Sequence, residues 1–262
     1  MSPAFRADPE LIGLPLHVGA GIAHVHLGAA PHAANVNADV AHAGDSSLNY
    51  PITQFTIAPV IPAVVLAAGL STRMGRPKPL LPLPGGEIFL SKIVRSFLEA
   101  GVDDVVVVLG HEADAVAAKL IESGVAARLV INEAYATGQL SSVLRGLNAI
   151  DRPGVRAMLL TLVDVPLVSP ATIRAVIDRY QATHAPIVRP VHGDEHGHPV
   201  LIDRSLFGLV RTADPSAGIK PVVRAHVSAA GDVDVDDAGA FVDIDTPTAY
   251  ERVLNDTSMM KP

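Results

Sequence analysis

A three-layer α/β fold with a mainly parallel sheet is what this chain predicts, and two observations carry the prediction. From Ile61 onward, short apolar runs alternate with longer amphipathic ones, the pattern of strands covered on both faces by helices. Apolar residues make up 49% of the 262 residues, ample for a core of that size.

Taken in order, "AVVLAA" (63–68) is an unbroken apolar run and reads as the first strand. "IFLSKIVRSFLEAG" (88–101) is a helix, because Ile88, Ile93, Val94, Phe97 and Leu98 recur largely at helical spacing and Gly101 closes the run. "DDVVVVLG" (103–110) is the second strand, "EADAVAAKLIESG" (112–124) a helix and "ARLVIN" (127–132) a strand. Helix "SSVLRGLNAI" (141–150), strand "AMLLTLVD" (157–164) and helix "PATIRAVIDRYQAT" (170–183) continue the alternation. After Pro186 the pattern loosens into shorter strands and turns, a small β insertion (186–202). "AFVDIDTPTAYERVL" (240–254) predicts a last strand and a final helix.

Residues 1–58 differ from the domain at 59–262: Ala, Gly, His, Asn and Pro dominate and no period persists, so they read as a low-complexity, disordered extension. The irregular spacing of His17, His24, His26, His32 and His42 speaks against a metal-binding tail. With 20 Lys and Arg against 27 Asp and Glu, a net charge of −7 and no basic block, nucleic acid is not the expected partner. The chain has no cysteine, which removes disulfides and thiolate chemistry. No apolar run reaches the roughly 20 residues of a bilayer span. The opening "MSPAFRADPE" lacks the basic and apolar regions of a signal peptide, and a cytoplasmic location is expected.

Ligands of open α/β sheets bind beyond the carboxyl ends of the strands, which directs attention to "AAGLSTRMG" after the first strand. Ala67, Ala68 and Gly69 let a ligand approach the backbone, while Arg73 offers a planar fork and Lys78 a mobile point charge. Together they describe a triphosphate cradle, although neither GxxxxGK[ST] nor GxGxxG is present. Asp164 ends the apolar strand "AMLLTLVD" and reads as a metal carboxylate rather than a helix cap, because Ser169 before Pro170 is the better cap. Asp243 and Asp245 alternate along one strand and therefore share a face, with Asp245 also placed to cap the final helix. His192, Asp194, Glu195, His196 and His198 crowd one loop, but their spacing is a weak zinc signature.

"LAAGLSTRMGRPKPLLPL" closely resembles the signature of nucleotidyltransferases related to molybdenum cofactor cytidylyltransferase and guanylyltransferase. "NEAYATGQLSSVLRGL", "TLVDVPLVSP", "GHPVL" and "VDIDTP" resemble further segments of that family, in its order, across residues 61–254. The resemblance implies a Rossmann-like nucleotidyltransferase fold with an acceptor-side insertion. It also implies transfer of CMP from CTP to the terminal phosphate of a molybdopterin-type cofactor, with release of pyrophosphate. Arg73 and Lys78 would be catalytic, and Asp164 with Asp243 would hold Mg²⁺. Leu66, Ala67, Ala68, Gly69, Ser71, Asn132, Gly138, Gln139, Ser141 and Ser142 would contact the nucleotide. Gly197, His198, Pro199 and Gly218 would contact the acceptor, with Lys220 beside Gly218 as a further anion-binding turn. CTP is inferred from Ala68, where the family's guanylyl enzymes usually carry a second glycine. Val163 and Val165 around Asp164 depart from the family's more usual Gly-Asp-Gln-Pro. A molybdenum hydroxylase is a candidate recipient of the product. The alternatives are GTP as donor, a sugar-phosphate acceptor, and a non-catalytic carrier of the finished cofactor.

Overall fold

Strand β1 (Ala63–Ala67) is buried along its whole length, because alternate side chains feed two different cores. The computed structural model describes residues 60–255, so the expectations for residues 1–58 and their histidines lie outside the described residues. After β1 come α1 (Phe89–Glu99), β2 (Val105–Leu109), α2 (Ala113–Glu122), β3 (Arg128–Ile131), α3 (Gln139–Ile150), β4 (Ala157–Leu162) and α4 (Pro170–Thr183). Then follow β5 (Ile187–His192), β6 (Glu195–His196), β7 (Val200–Asp203), α5 (Phe207–Arg211), α6 (Lys220–His226), β8 (Asp232–Asp234) and α7 (Pro247–Asn255).

The sheet runs β3-β2-β1-β4-β7-β5-β6, with β8 paired to β5. Its first four strands are mutually parallel; β7 joins β4 antiparallel and carries β5 antiparallel beyond it. The sheet is therefore an α/β sheet of mainly parallel character with a small mixed extension, as the sequence predicts. Ala63, Val65 and Ala67 pack with Val94 and Phe97 of α1, Val116 of α2 and Ile173 of α4. Val64 and Leu66 pack on the other face with Val143, Leu147 and Ile150 of α3 and Phe207 of α5. On that face α3 presses close to β1: a Cβ at Gly146 would lie 2.3 Å from Val64 Cγ1. A third, smaller core ties the loop after β1 to α7 through Met74, Leu81, Phe89, Ile244 and Tyr250.

Ser169 caps α4 as predicted, its Oγ accepting from Thr172 N at 3.2 Å with Pro170 in the first turn. Helix α3 begins at Gln139, two residues earlier than the sequence suggests, directly after Gly138 at φ +124°. The predicted strand at 240–245 does not form. Its residues run beside the turn after β4, fastened by Ile244 N donating to Asp164 O at 2.7 Å, while β8 takes the place beside β5. Ile244 is fully buried and Asp243 exposed, so the alternation survives without a ladder. Nor does Asp245 cap α7: Thr246 Oγ1 accepts from Ala249 N at 3.2 Å.

Candidate active site

Beyond the carboxyl ends of β1 and β4 lies a cavity of about 310 Å³. Leu66, Ala68, Gly69, Ser71, Arg73, Lys78, Gly138, Gln139, Ser142 and Asp164 line it. The loop after β1 is folded by Ser71, whose backbone sits at φ +52° and whose Oγ accepts from Lys78 N at 3.0 Å. That bond turns Lys78 inward, and its side chain is buried although it carries a charge. An ammonium is tolerated there because two carboxylates face it. Lys78 Nζ donates to Asp164 Oδ2 at 3.2 Å and to Asp245 Oδ1 at closer range, and Arg73 reaches the second oxygen of Asp245 at 2.9 Å.

Burial pushes the Asp164 carboxyl up; the Lys78 ammonium opposes this, and the nearby Asp243 and Asp245 add to it. Asp245 is held below the usual carboxylate range, chiefly by its hydrogen bond from Lys78. Asp164 Oδ1 is buried and has no hydrogen-bond partner among the described residues. An orphaned hard oxygen with further carboxylates nearby can take part in holding a divalent cation when substrate oxygens complete its shell, so the residues present fit Mg²⁺ or a similar ion. Among the described residues no group of three or more His, Asp or Glu side chains is placed to hold a metal ion by itself, the crowded 192–198 loop included. Two carboxylates completed by substrate oxygens are the usual arrangement for Mg²⁺.

Several predicted contacts take other tasks. Asn132 does not line the cavity: its Nδ2 donates to Ser141 Oγ and Ser142 Oγ, both at 2.9 Å, and its Oδ1 accepts from Ala134 N at 3.1 Å. With both ends of the amide engaged, Asn132 clamps the loop before α3. Ser141 belongs to the same clamp, its hydroxyl lying 2.8 Å from Gly138 O. Ala67 points its methyl into the helix-covered core. Asp243 is exposed, outside the cavity lining but within electrostatic reach of Asp164 and His198.

A second cavity of about 250 Å³ adjoins the first, sharing Leu66, Gln139 and Leu162 with it. Its floor is apolar, from Leu160, Val200, Ile219 and Val223, and Arg189, Lys220 and Arg224 stand around it. Arg189 is paired with Asp232 at 2.9 Å, whereas Lys220 and Arg224 have no ion pair among the described residues. Gly197 and His198 line this cavity; Pro199 and Gly218 do not. Burial pushes the His198 imidazole down, and its Nδ1 lies 3.5 Å from Leu160 O. Of this cationic trio the sequence pointed to Lys220 alone; Arg189 and Arg224 were not singled out, because the trio comes from β5 and α6, elements joined only by the fold.

The profile of the MobA-like NTP transferase domain matches residues 63–230. The chain belongs to that family. It is 35% identical over 133 residues to a probable molybdenum cofactor guanylyltransferase of Mycobacterium avium, matching 51% of this chain and 64% of that protein. It therefore spans just under two thirds of that relative's length. It is 31% identical to the nicotine blue oxidoreductase of Paenarthrobacter nicotinovorans over 75% of this chain and 97% of that one. Among solved structures, Rv0371c of Mycobacterium tuberculosis superposes with a TM-score of 0.65 at 32% identity, covering 76% of this chain and 99% of the other. The same protein has been solved in complex with manganese, at a TM-score of 0.61 and 31% identity over 76% of this chain and 100% of the other. The MobA-like chain is thus an NTP transferase in type, related to the guanylyltransferases that serve the molybdenum cofactor.

Proposed function

We propose that this MobA-like transferase moves CMP from CTP to the terminal phosphate of a molybdopterin-type cofactor and releases pyrophosphate. The observation that carries this reading is the meeting of the two cavities at Leu66, Gln139 and Leu162, one bearing a phosphate cradle and the other an apolar floor with a cationic rim. A planar, anionic acceptor suits the second cavity: the floor takes its rings, while Lys220 and Arg224 answer its charge. A phosphate monoester loses its second proton near pH ~6 and is already a nucleophile at neutral pH, so no general base is required. Arg73 grips the outer phosphates and Lys78 stabilises the reacting one, leaving alignment and charge neutralisation as the sources of rate. Asp164 and Asp243 would hold Mg²⁺, which when bound neutralises triphosphate charge. Ala68 supports CTP over GTP, and a molybdenum hydroxylase is the proposed recipient of the product.

The test is pyrophosphate release with Mg²⁺ and molybdenum cofactor, comparing CTP, GTP, UTP and ATP. Release with CTP alone supports the full reading, and release with GTP keeps the chemistry but overturns the base. Similarity over 97% of nicotine blue oxidoreductase and 75% of this chain favours a second reading, redox chemistry on an aromatic substrate in the apolar cavity. Oxidation of a nicotinamide or flavin donor by an aromatic dye, with no pyrophosphate from any nucleotide, would select it.

A further inference from the structure

Among the described residues Tyr135 is the only aromatic side chain lining the first cavity, in a chain with four tyrosines and no tryptophan. It is held from several directions. Its own backbone is fixed in the turn between β3 and α3, where Tyr135 N donates to Asn132 O at 3.3 Å and Tyr135 O accepts from Gly138 N at 3.4 Å. The Asn132 clamp described above locks that turn onto the start of α3. Behind it lies Gly110, at the end of β2: a Cβ there would stand 2.7 Å from Tyr135 Cβ and Cγ and 2.8 Å from Ala68 O. Glycine at this position lets the tyrosine settle against the end of β2, whose backbone there lies beside Ala68 O of the loop after β1. The His111 ring sits 6.1 Å away, tilted by 50°, and closes the outer side.

The cations of the cradle, Arg73 and Lys78, mark where a triphosphate would lie; a second wall of the same cavity, from the turn before α3, is made by Tyr135, Ala136, Gly138 and Gln139. A nucleotide held by its phosphates can carry its base toward that wall. We propose that Tyr135, seated on Gly110, is the platform against which the nucleotide's base packs. The proposal rests on the nucleotidyltransferase reading. A ring fixed before the ligand arrives loses little freedom on binding, so its contact is converted into affinity with small loss. Every base offers a π face, so stacking adds affinity without choosing among bases, and the choice falls to other residues.

The experiment is equilibrium binding of CTP, GTP, UTP and ATP to the full chain, with inorganic tripolyphosphate as the ligand that has no base. Tyr135→Leu keeps apolar bulk and should weaken all four nucleotides alike, by about tenfold or more, and leave tripolyphosphate unchanged. Tyr135→Phe should bind as the wild type does, which separates the ring from the hydroxyl. Thermal melting of both variants checks that the turn still folds. The platform is overturned if Tyr135→Leu binds all four nucleotides normally, if it loses tripolyphosphate to the same extent, or if only one base is affected. A wild type that binds tripolyphosphate but gains nothing from any base would sink the nucleotide reading along with it. Equal losses confined to the variant would uphold both.

Discussion

Lys78 Nζ lies 3.2 Å from Asp164 Oδ2, although 86 residues separate the two in the chain. The contact joins the loop after β1 to the turn after β4, which the parallel pairing of those strands brings side by side. Asp245, carried in by the segment before α7, completes the arrangement from a third direction. The cradle is thus assembled with its charges answered internally. A triphosphate and its metal would replace those internal partners instead of filling an unbalanced site.

Replacing Lys78 by alanine removes the cation between two carboxylates and leaves Asp164 buried without it. Turnover should fall about 10²- to 10³-fold, the usual cost of losing one preorganised group that meets developing charge. The melting temperature should fall as well, since a buried carboxylate would be left uncompensated. Steady-state pyrophosphate release and thermal denaturation measure the two effects separately. A near-normal rate in Lys78→Ala would remove Lys78 from the chemistry.

Asp245 occupies both cradle cations, so Asp245→Asn should free part of their charge. Without divalent metal, tripolyphosphate should bind several-fold tighter to the variant than to the wild type, because one repelling carboxylate is gone. Asp164→Asn should differ: its carboxylate has the orphaned oxygen, and its loss should abolish metal-dependent turnover. Calorimetric titrations with and without Mg²⁺ distinguish them. Weaker metal-free binding in Asp245→Asn would show that Asp245 positions the cations more than it competes for them.

The parallel half of the fold was legible because buried strands and amphipathic helices obey different periods, and each expected element from β1 to α4 is present with boundaries shifted by a few residues. The segment 240–245 misled because alternation along a chain reports which face is buried, not whether a neighbouring strand is free to pair. Lys78, Arg73 and Asp164 were readable from charge beside strand ends. The partners of Lys78 were not, since Asp245 lies 167 residues away and its motif looks equally like a helix cap. Tyr135 escaped for a similar reason: a tyrosine in a turn carries no local sign of the glycine it rests on.

Far from the site, Asp104 takes hydrogen bonds from Arg128 at 2.8 Å and 3.1 Å and from Arg152 at 2.8 Å, tying β3 and the turn before β4 to the start of β2. Burial alone would push this carboxyl up, but the two guanidinium groups together hold it below its ordinary value. A depressed folded value means stability that is present above the unfolded pKa of about 3.9 and is lost as pH falls through the folded value. Asp104→Asn should therefore cost about 1 kcal/mol near neutral pH, a modest figure because both arginines are half exposed. The gap between wild type and variant should close below pH ~4, and urea midpoints across that range would register it. A constant gap would mean that packing, not charge, makes the difference.

Gly197 links the second cavity to the segment that carries Asp243 and Asp245 through the backbone. A Cβ there would stand 2.5 Å from Ala240 O and 2.9 Å from the Phe241 ring, and the adjoining His198 N donates to Ala240 O at 2.9 Å. Backbone at that distance cannot step aside as a flexible side chain does, so Gly197→Ala must displace the stretch from Ala240 onward. That stretch carries Asp243 and Asp245, three and five residues further along. The substitution should cost about 1–3 kcal/mol in stability, as overpacking of a tight contact does. It should also lower turnover and raise the Mg²⁺ concentration needed for half-maximal rate, because both carboxylates move relative to Asp164. Measuring the Mg²⁺ dependence beside the melting temperature separates the two consequences. If stability falls while the Mg²⁺ requirement stays fixed, the contact is packing alone, and the two sites are not coupled through Gly197.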